Sequence, residues 1–142
     1  MTKKKKNASA AALCPCGSGL CLAECCGRYL TGGAEHLGAP TPEALMRSRY
    51  TAFALGDEAY LLDTWETAHR PDAIWARGEA RVKWLSLKVL EAPAPEGNTG
   101  RVRFVATGRT SAGAFKQSEN SRFLRGADGR WRYVSGEVDE QS

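Results

Sequence analysis

The chain has 142 residues, 42% of them hydrophobic and 25% charged, and that supports one domain with a real core plus an appendage. No apolar run approaches the roughly 18 residues a membrane-spanning helix needs, which argues against a membrane protein of that kind. The formal net charge is +4 and Lys3 to Lys6 account for all of it, so the body sums to zero and offers no overall cationic field for nucleic acid.

Residues 1–12 are expected to form a disordered basic tail, in which the lysines are solvated and polyanion binding is the weaker alternative. Ala8 to Leu13 is too short and too weakly apolar to act as the core of a secretory signal, so a cytoplasmic location is expected. Then Cys14, Cys16, Cys21, Cys25 and Cys26 fall within thirteen residues, and the rest of the chain contains no cysteine. Zinc takes four soft ligands in a tetrahedron, and two close thiolate pairs can close such a site. Cys14 and Cys16 form one pair and Cys25 and Cys26 the other, with Gly17, Ser18 and Gly19 in the loop between them suited to a sharp turn. A loop of this size builds no core, so metal binding would supply its folding energy, on the order of 10 kcal/mol. Four thiolates around one dication leave a net −2, which backbone N–H groups and nearby cations such as Arg28 are expected to offset. The competing readings are redox thiols, iron and disulfides, although a disulfide scaffold would spread its cysteines across the fold. Cys21 reads as a spare thiol, with register competition against Cys25 or Cys26 as the alternative.

Residues 31–41, rich in Gly, Ala and Pro, read as a linker or irregular crossing between a knuckle at 13–30 and a body at 42–138, with 139–142 as a tail. Thr41 is placed as an N-cap, with Pro42 in the first turn, and Leu45, Met46, Arg49, Tyr50 and Phe53 recur at helical spacing up to a stop at Gly56. Asp57 caps a second helix whose apolar face is Tyr60, Leu61, Thr64 and Trp65, and Pro71 ends or re-aims it. A short helical turn is expected from Asp72 through Arg77, anchored by Ile74 and Trp75. From Arg81 the period becomes two, giving strands over Val82–Glu91, Arg101–Thr110, Phe115–Arg125 and Arg130–Val134. Short connections favour an antiparallel meander, so the fold class is α+β, with helices packed on a curved four-stranded antiparallel sheet behind an N-terminal zinc knuckle.

Two resemblances bear on this reading. The pattern C-x-C-x₈-C-C over Cys14 to about Tyr29, with Pro15 and the Gly17-Ser18-Gly19 turn, resembles the SEC-C zinc motif, named after the tail of the SecA translocation ATPase. It implies the ligands Cys14, Cys16, Cys25 and Cys26 around one structural zinc ion. The segments Met46 to Phe53, Thr64-Trp65, Trp84-Leu85, Phe104 to Ala106, Glu119 to Phe123 and Trp131 to Gly136 resemble the YchJ family, which joins such a knuckle to a nuclear-transport-factor-like, or cystatin-like, α+β cone. The resemblance speaks to fold more than to activity. Many relatives carry His-Pro after the Thr-Trp pair and His before the Glu-x-Ser-x-Phe segment; here those positions hold Glu66-Thr67 and Ser118, which weakens any role for a shared histidine.

Cone folds enclose a pocket between the long helix and the concave sheet face, and enzymes of this shape place an Asp, His or Tyr there. Candidates are Tyr50, Tyr60, Asp63, His69 and Glu119, each with a structural alternative, and no spacing among them marks a catalytic dyad. A close carboxylate–histidine or carboxylate–tyrosine pair in a deep pocket would favour the enzyme reading. Arg47 and Arg49 point to different helix faces; Arg49 is expected to pair with Glu119 in the core and Arg47 to be solvated. The function expected is a small zinc-binding adaptor or binding module. Its knuckle would meet a protein partner, and its cone would hold a small ligand or a second copy of the chain. An acid–base enzyme and a nucleic-acid or ribosome-associated protein are the alternatives.

Overall fold

The computed structural model describes residues 12–76, 79 and 81–141; the expected basic tail lies outside them except for its last residue. Helix α1 spans Pro42–Leu55 and begins as its cap residues dictate: Thr41 Oγ1 accepts from the Ala44 N–H at 3.0 Å, and Gly56, at φ 83°, ends the helix. Asp57 caps helix α2, Glu58–Asp63, by accepting from the Tyr60 N–H. Trp65 is not on that helix. The chain leaves α2 at Thr64 and pairs in parallel with Tyr133, the Glu66 N–H donating to Tyr133 O at 2.7 Å and the Tyr133 N–H to Thr64 O at 2.8 Å. A 3₁₀ turn, Thr67–His69, follows.

Residues 72–76 are bends and irregular chain, so the expected helical turn over Asp72–Arg77 does not form across its described part. The Glu58 carboxylate takes the Ile74 N–H at 2.8 Å, a tertiary bond that replaces the helical one, while Ile74 and Trp75 still pack on the core.

Strands β1 (Lys83–Glu91), β2 (Thr99–Thr110), β3 (Gly113–Arg125) and β4 (Trp131–Gln141) form an antiparallel sheet in the order β1-β2-β3-β4. Register shifts between Trp84 and Ser86, between Val89 and Glu91, and at Arg122/Phe123 interrupt the ladders, the kind of irregularity that bends and twists a sheet. β4 runs well past the expected end at Val134 and takes in residues 139–141 of the expected tail. The concave face carries Val102, Phe104, Ala106 and Phe123 against Leu45, Met46, Tyr50 and Ala52 of α1, all buried. Each fully buried aliphatic side chain here contributes about 1.5–3 kcal/mol. The fold is α+β.

The crossing at 31–41 is tied down at its start and at its middle. Thr31 donates through its N–H and its hydroxyl to the Asp57 carboxylate, at 3.0 and 2.8 Å, and the His36 ring lies within hydrogen-bonding distance of the Tyr29 and Leu30 carbonyls.

Candidate metal centre and binding cavity

The knuckle folds back on itself through a bridge between Leu13 and Cys21, and the turn after Cys14 needs residues that accept positive φ: Gly17 is at 84° and Gly19 at 87°. Two 3₁₀ turns, Leu22–Glu24 and Cys26–Arg28, then carry Cys25 and Cys26 back toward Cys14 and Cys16. The sulfur atoms of Cys14, Cys16, Cys25 and Cys26 all lie within 4.8 Å of one another, and all four residues are buried. Cys16 Sγ and Cys25 Sγ are 3.6 Å apart, too far for a disulfide and close to the edge of about 3.8 Å that a tetrahedron with metal–sulfur bonds of about 2.3 Å requires. The donor set fits a thiophilic metal ion. Cys21 is half-buried and outside the cluster.

The electrostatics of the cluster point the same way. Hydrogen bonds from Cys16 and Cys26 hold the Cys14 thiol far below its ordinary value, while Cys14 first and Cys16 second push Cys26 far up. One thiolate in this volume is favoured by its neighbours and the last is opposed by them, so four together call for a cation at the centre. Ser18 Oγ sits 3.1 Å from Cys25 Sγ, and Thr51 Oγ1 of α1 sits 3.6 Å from Cys14 Sγ. Arg28 Nε donates to Cys25 O at 2.9 Å. Arg47 is not simply solvated, as expected from the sequence: its Nε pairs with Glu43 and its Nη1 donates to Cys16 O at 3.0 Å, fastening the knuckle to α1.

The opposite side of α1 roofs a cavity of about 190 Å³, enclosed by Met46, Arg49, Tyr50 and Phe53 above and by Phe104, Glu119 and Phe123 of the sheet below, with Trp65, Trp84 and Tyr133 at its sides. Of the sequence candidates, Tyr50 and Glu119 line it. Tyr60 does not: fully buried, it shares a 2.7 Å hydrogen bond with Ser48 beneath α1. Asp63 is exposed, and His69 is an exposed partner of Glu66 at 2.7 Å.

The expected direct pair of Arg49 and Glu119 is absent. Arg49 Nη1 instead donates to Leu61 O at 2.8 Å and Thr64 Oγ1 at 2.7 Å, where the carbonyls at the end of α2 favour a cation. Its guanidinium lies 4.4 Å over the Tyr133 ring and 5.1 Å over Trp65. Burial pulls Arg49 down to about 10, opposed by Tyr133, Tyr60 and Glu119. Tyr133 stands between the two charges, its hydroxyl donating to Glu119 Oε2 at 3.0 Å. Ser121 Oγ donates to the same oxygen at 2.6 Å, and a Cβ built on Gly136 would land on that carboxylate. Sequence reasoning missed Tyr133 and Ser121, which line this cavity, and Gly136, which leaves room for the Glu119 carboxylate. The Glu-x-Ser spacing on a strand was the available signal, because it puts Glu119 and Ser121 on one face.

Comparison with known proteins places these features in context. The family model described as "YchJ, middle NTF2-like domain" matches residues 41–136. A UPF0225 protein of Chromobacterium violaceum is 52% identical over 139 residues, covering 96% of this chain and 98% of its own. UPF0225 proteins of Corynebacterium efficiens and Bordetella pertussis are 47% and 42% identical, over 89% and 94% of this chain and 94% and 98% of their own. Among solved structures, a SEC-C motif containing protein from Psychrobacter arcticus is similar, with a TM-score of 0.72 at 25% identity, covering 93% of this chain and 85% of that one.

Proposed function

The chain belongs to the YchJ family, and on that footing we propose that it is a zinc-braced binding module of the reducing cytoplasm, whose cone takes a small ligand. One observation carries the reading: α1 is shared. Through Arg47 and Thr51 it holds the four-thiolate knuckle, and through Met46, Arg49, Tyr50 and Phe53 it roofs the cavity. Cys14, Cys16, Cys25 and Cys26 would hold the ion, and four thiolates leave no open position for water, so its role is structural. Five unpaired cysteines suit a reducing compartment. Hydrogen exchange with and without a zinc chelator tests the proposal. Chelation is expected to release the knuckle amides and to lower protection in the first turns of α1; unchanged protection in both would contradict it.

The knuckle also supports a partner reading. Leu13 and Leu20 project from it at 60% and 50% exposure, an apolar pair that suits a protein surface better than a nucleic-acid backbone. An acid–base enzyme is the second reading, favoured by the pair of Glu119 and Tyr133 in the cavity. Binding is preferred over catalysis because Glu119 Oε2 already accepts from two hydroxyls and neither histidine lines the cavity.

A further inference from the structure

Glu119 is the one carboxylate among the residues lining the cavity, and its surroundings hold it in place. Two hydroxyls satisfy Oε2, and the missing side chain of Gly136 leaves room for the carboxylate. Oε1 has no partner among the described residues, and Glu119 is one of the residues that line the cavity. An ionised acceptor held in place on one oxygen and free on the other is arranged to receive a donor.

Size and charge narrow the class. A 150 Å³ apolar cavity is large enough for benzene, so about 190 Å³ admits one ring with a few further atoms. The walls supplied by Tyr50, Phe53, Trp84, Phe104 and Phe123 favour a flat, apolar body. Arg49 and Glu119 already contribute one charge of each sign. The wall is thereby charge-balanced, so a charged ligand would leave a net charge in the partly enclosed cavity, whereas an uncharged ligand adds no charge to bury.

Building on the reading of the cone as a binding chamber, we propose that the ligand is a small, uncharged, ring-bearing molecule whose hydroxyl or ring N–H donates to Glu119 Oε1. The test is titration of the full-length, zinc-loaded protein with phenol, toluene, benzylammonium and benzoate, followed by calorimetry or NMR shifts. Phenol is expected to bind at least ~10-fold more tightly than toluene, the worth of one charge-assisted hydrogen bond, and more tightly than either ion. In Glu119→Gln the preference for phenol over toluene should shrink to about threefold or less. Gly136→Ala, which keeps the carboxylate but displaces it, should do the same. Equal affinity of the native protein for phenol and toluene, or tighter binding of an ion, would overturn the proposal while leaving the binding chamber intact. Failure of every probe to bind would remove the chamber itself.

Discussion

Arg49 ties several elements of the body together. It sits on α1, donates to the end of α2 and to Thr64, and stacks on Trp65 and Tyr133. Arg49→Met removes charge-assisted bonds and leaves Leu61 O without this donor, so a loss of about 2–4 kcal/mol in urea unfolding is expected; a loss under about 0.5 kcal/mol would deny Arg49 this role. Alkaline pH tests the same neighbourhood. Burial raises Tyr60 and Tyr133 above their ordinary value and pushes Tyr50 up to about 12. A raised tyrosine contributes stability that is complete below about pH 10, its unfolded value, and is lost as pH climbs through the folded one. Arg49, lowered to about 10, has the opposite sign over the same window, because the unfolded chain binds its proton more tightly. Three of the four tyrosines oppose one arginine, so stability should fall above about pH 10, with most of the tyrosinate absorbance appearing together with unfolding; most of it forming well before unfolding would contradict this. At this scale the sequence led to the correct cluster of sulfurs, because thiolate spacing is local. It did not reveal that Tyr133 separates Arg49 from Glu119, because three elements distant along the chain meet there.

The knuckle is a small element whose buried side chains are mostly the four clustered cysteines together with Tyr29 and Leu30. Cys26→Ser should abolish stoichiometric metal binding, while Cys21→Ser, outside the cluster, should retain it in full; metal analysis of the two purified variants separates these outcomes. Helix α1 was legible down to its caps, since Thr41, Pro42 and Gly56 act locally. The distal half of β4 was not. Beyond Val134 it pairs with Ser121, Asn120, Glu119 and Ser118, a polar stretch of β3 at the cavity and its rim, so the apolar alternation that marks a strand is missing. The segment at 72–76 was misread for the complementary reason: its local pattern suits a helical turn, but the Glu58 carboxylate and the aromatic contact of Phe53 with Trp75 hold it otherwise.

At the scale of the whole molecule, the two halves that the sequence presents as a knuckle and a cone share one helix. The knuckle packs on one side of α1 and the cavity lies under the other, so a single helix borders both features. Fold class was readable from the order of helices and strands, and the family comparison agrees with it. The meeting of Tyr133 and Gly136 at Glu119 was not, because the register shift opposite Arg122/Phe123 breaks the alternation along β4 between them. The central claim of the proposed function is that the knuckle holds a metal ion. Native mass spectrometry of protein purified without added metal tests this most directly. The account predicts one zinc per chain, with Cys21 as the only thiol open to fast alkylation; a metal-free mass with all five thiols freely reactive would contradict it.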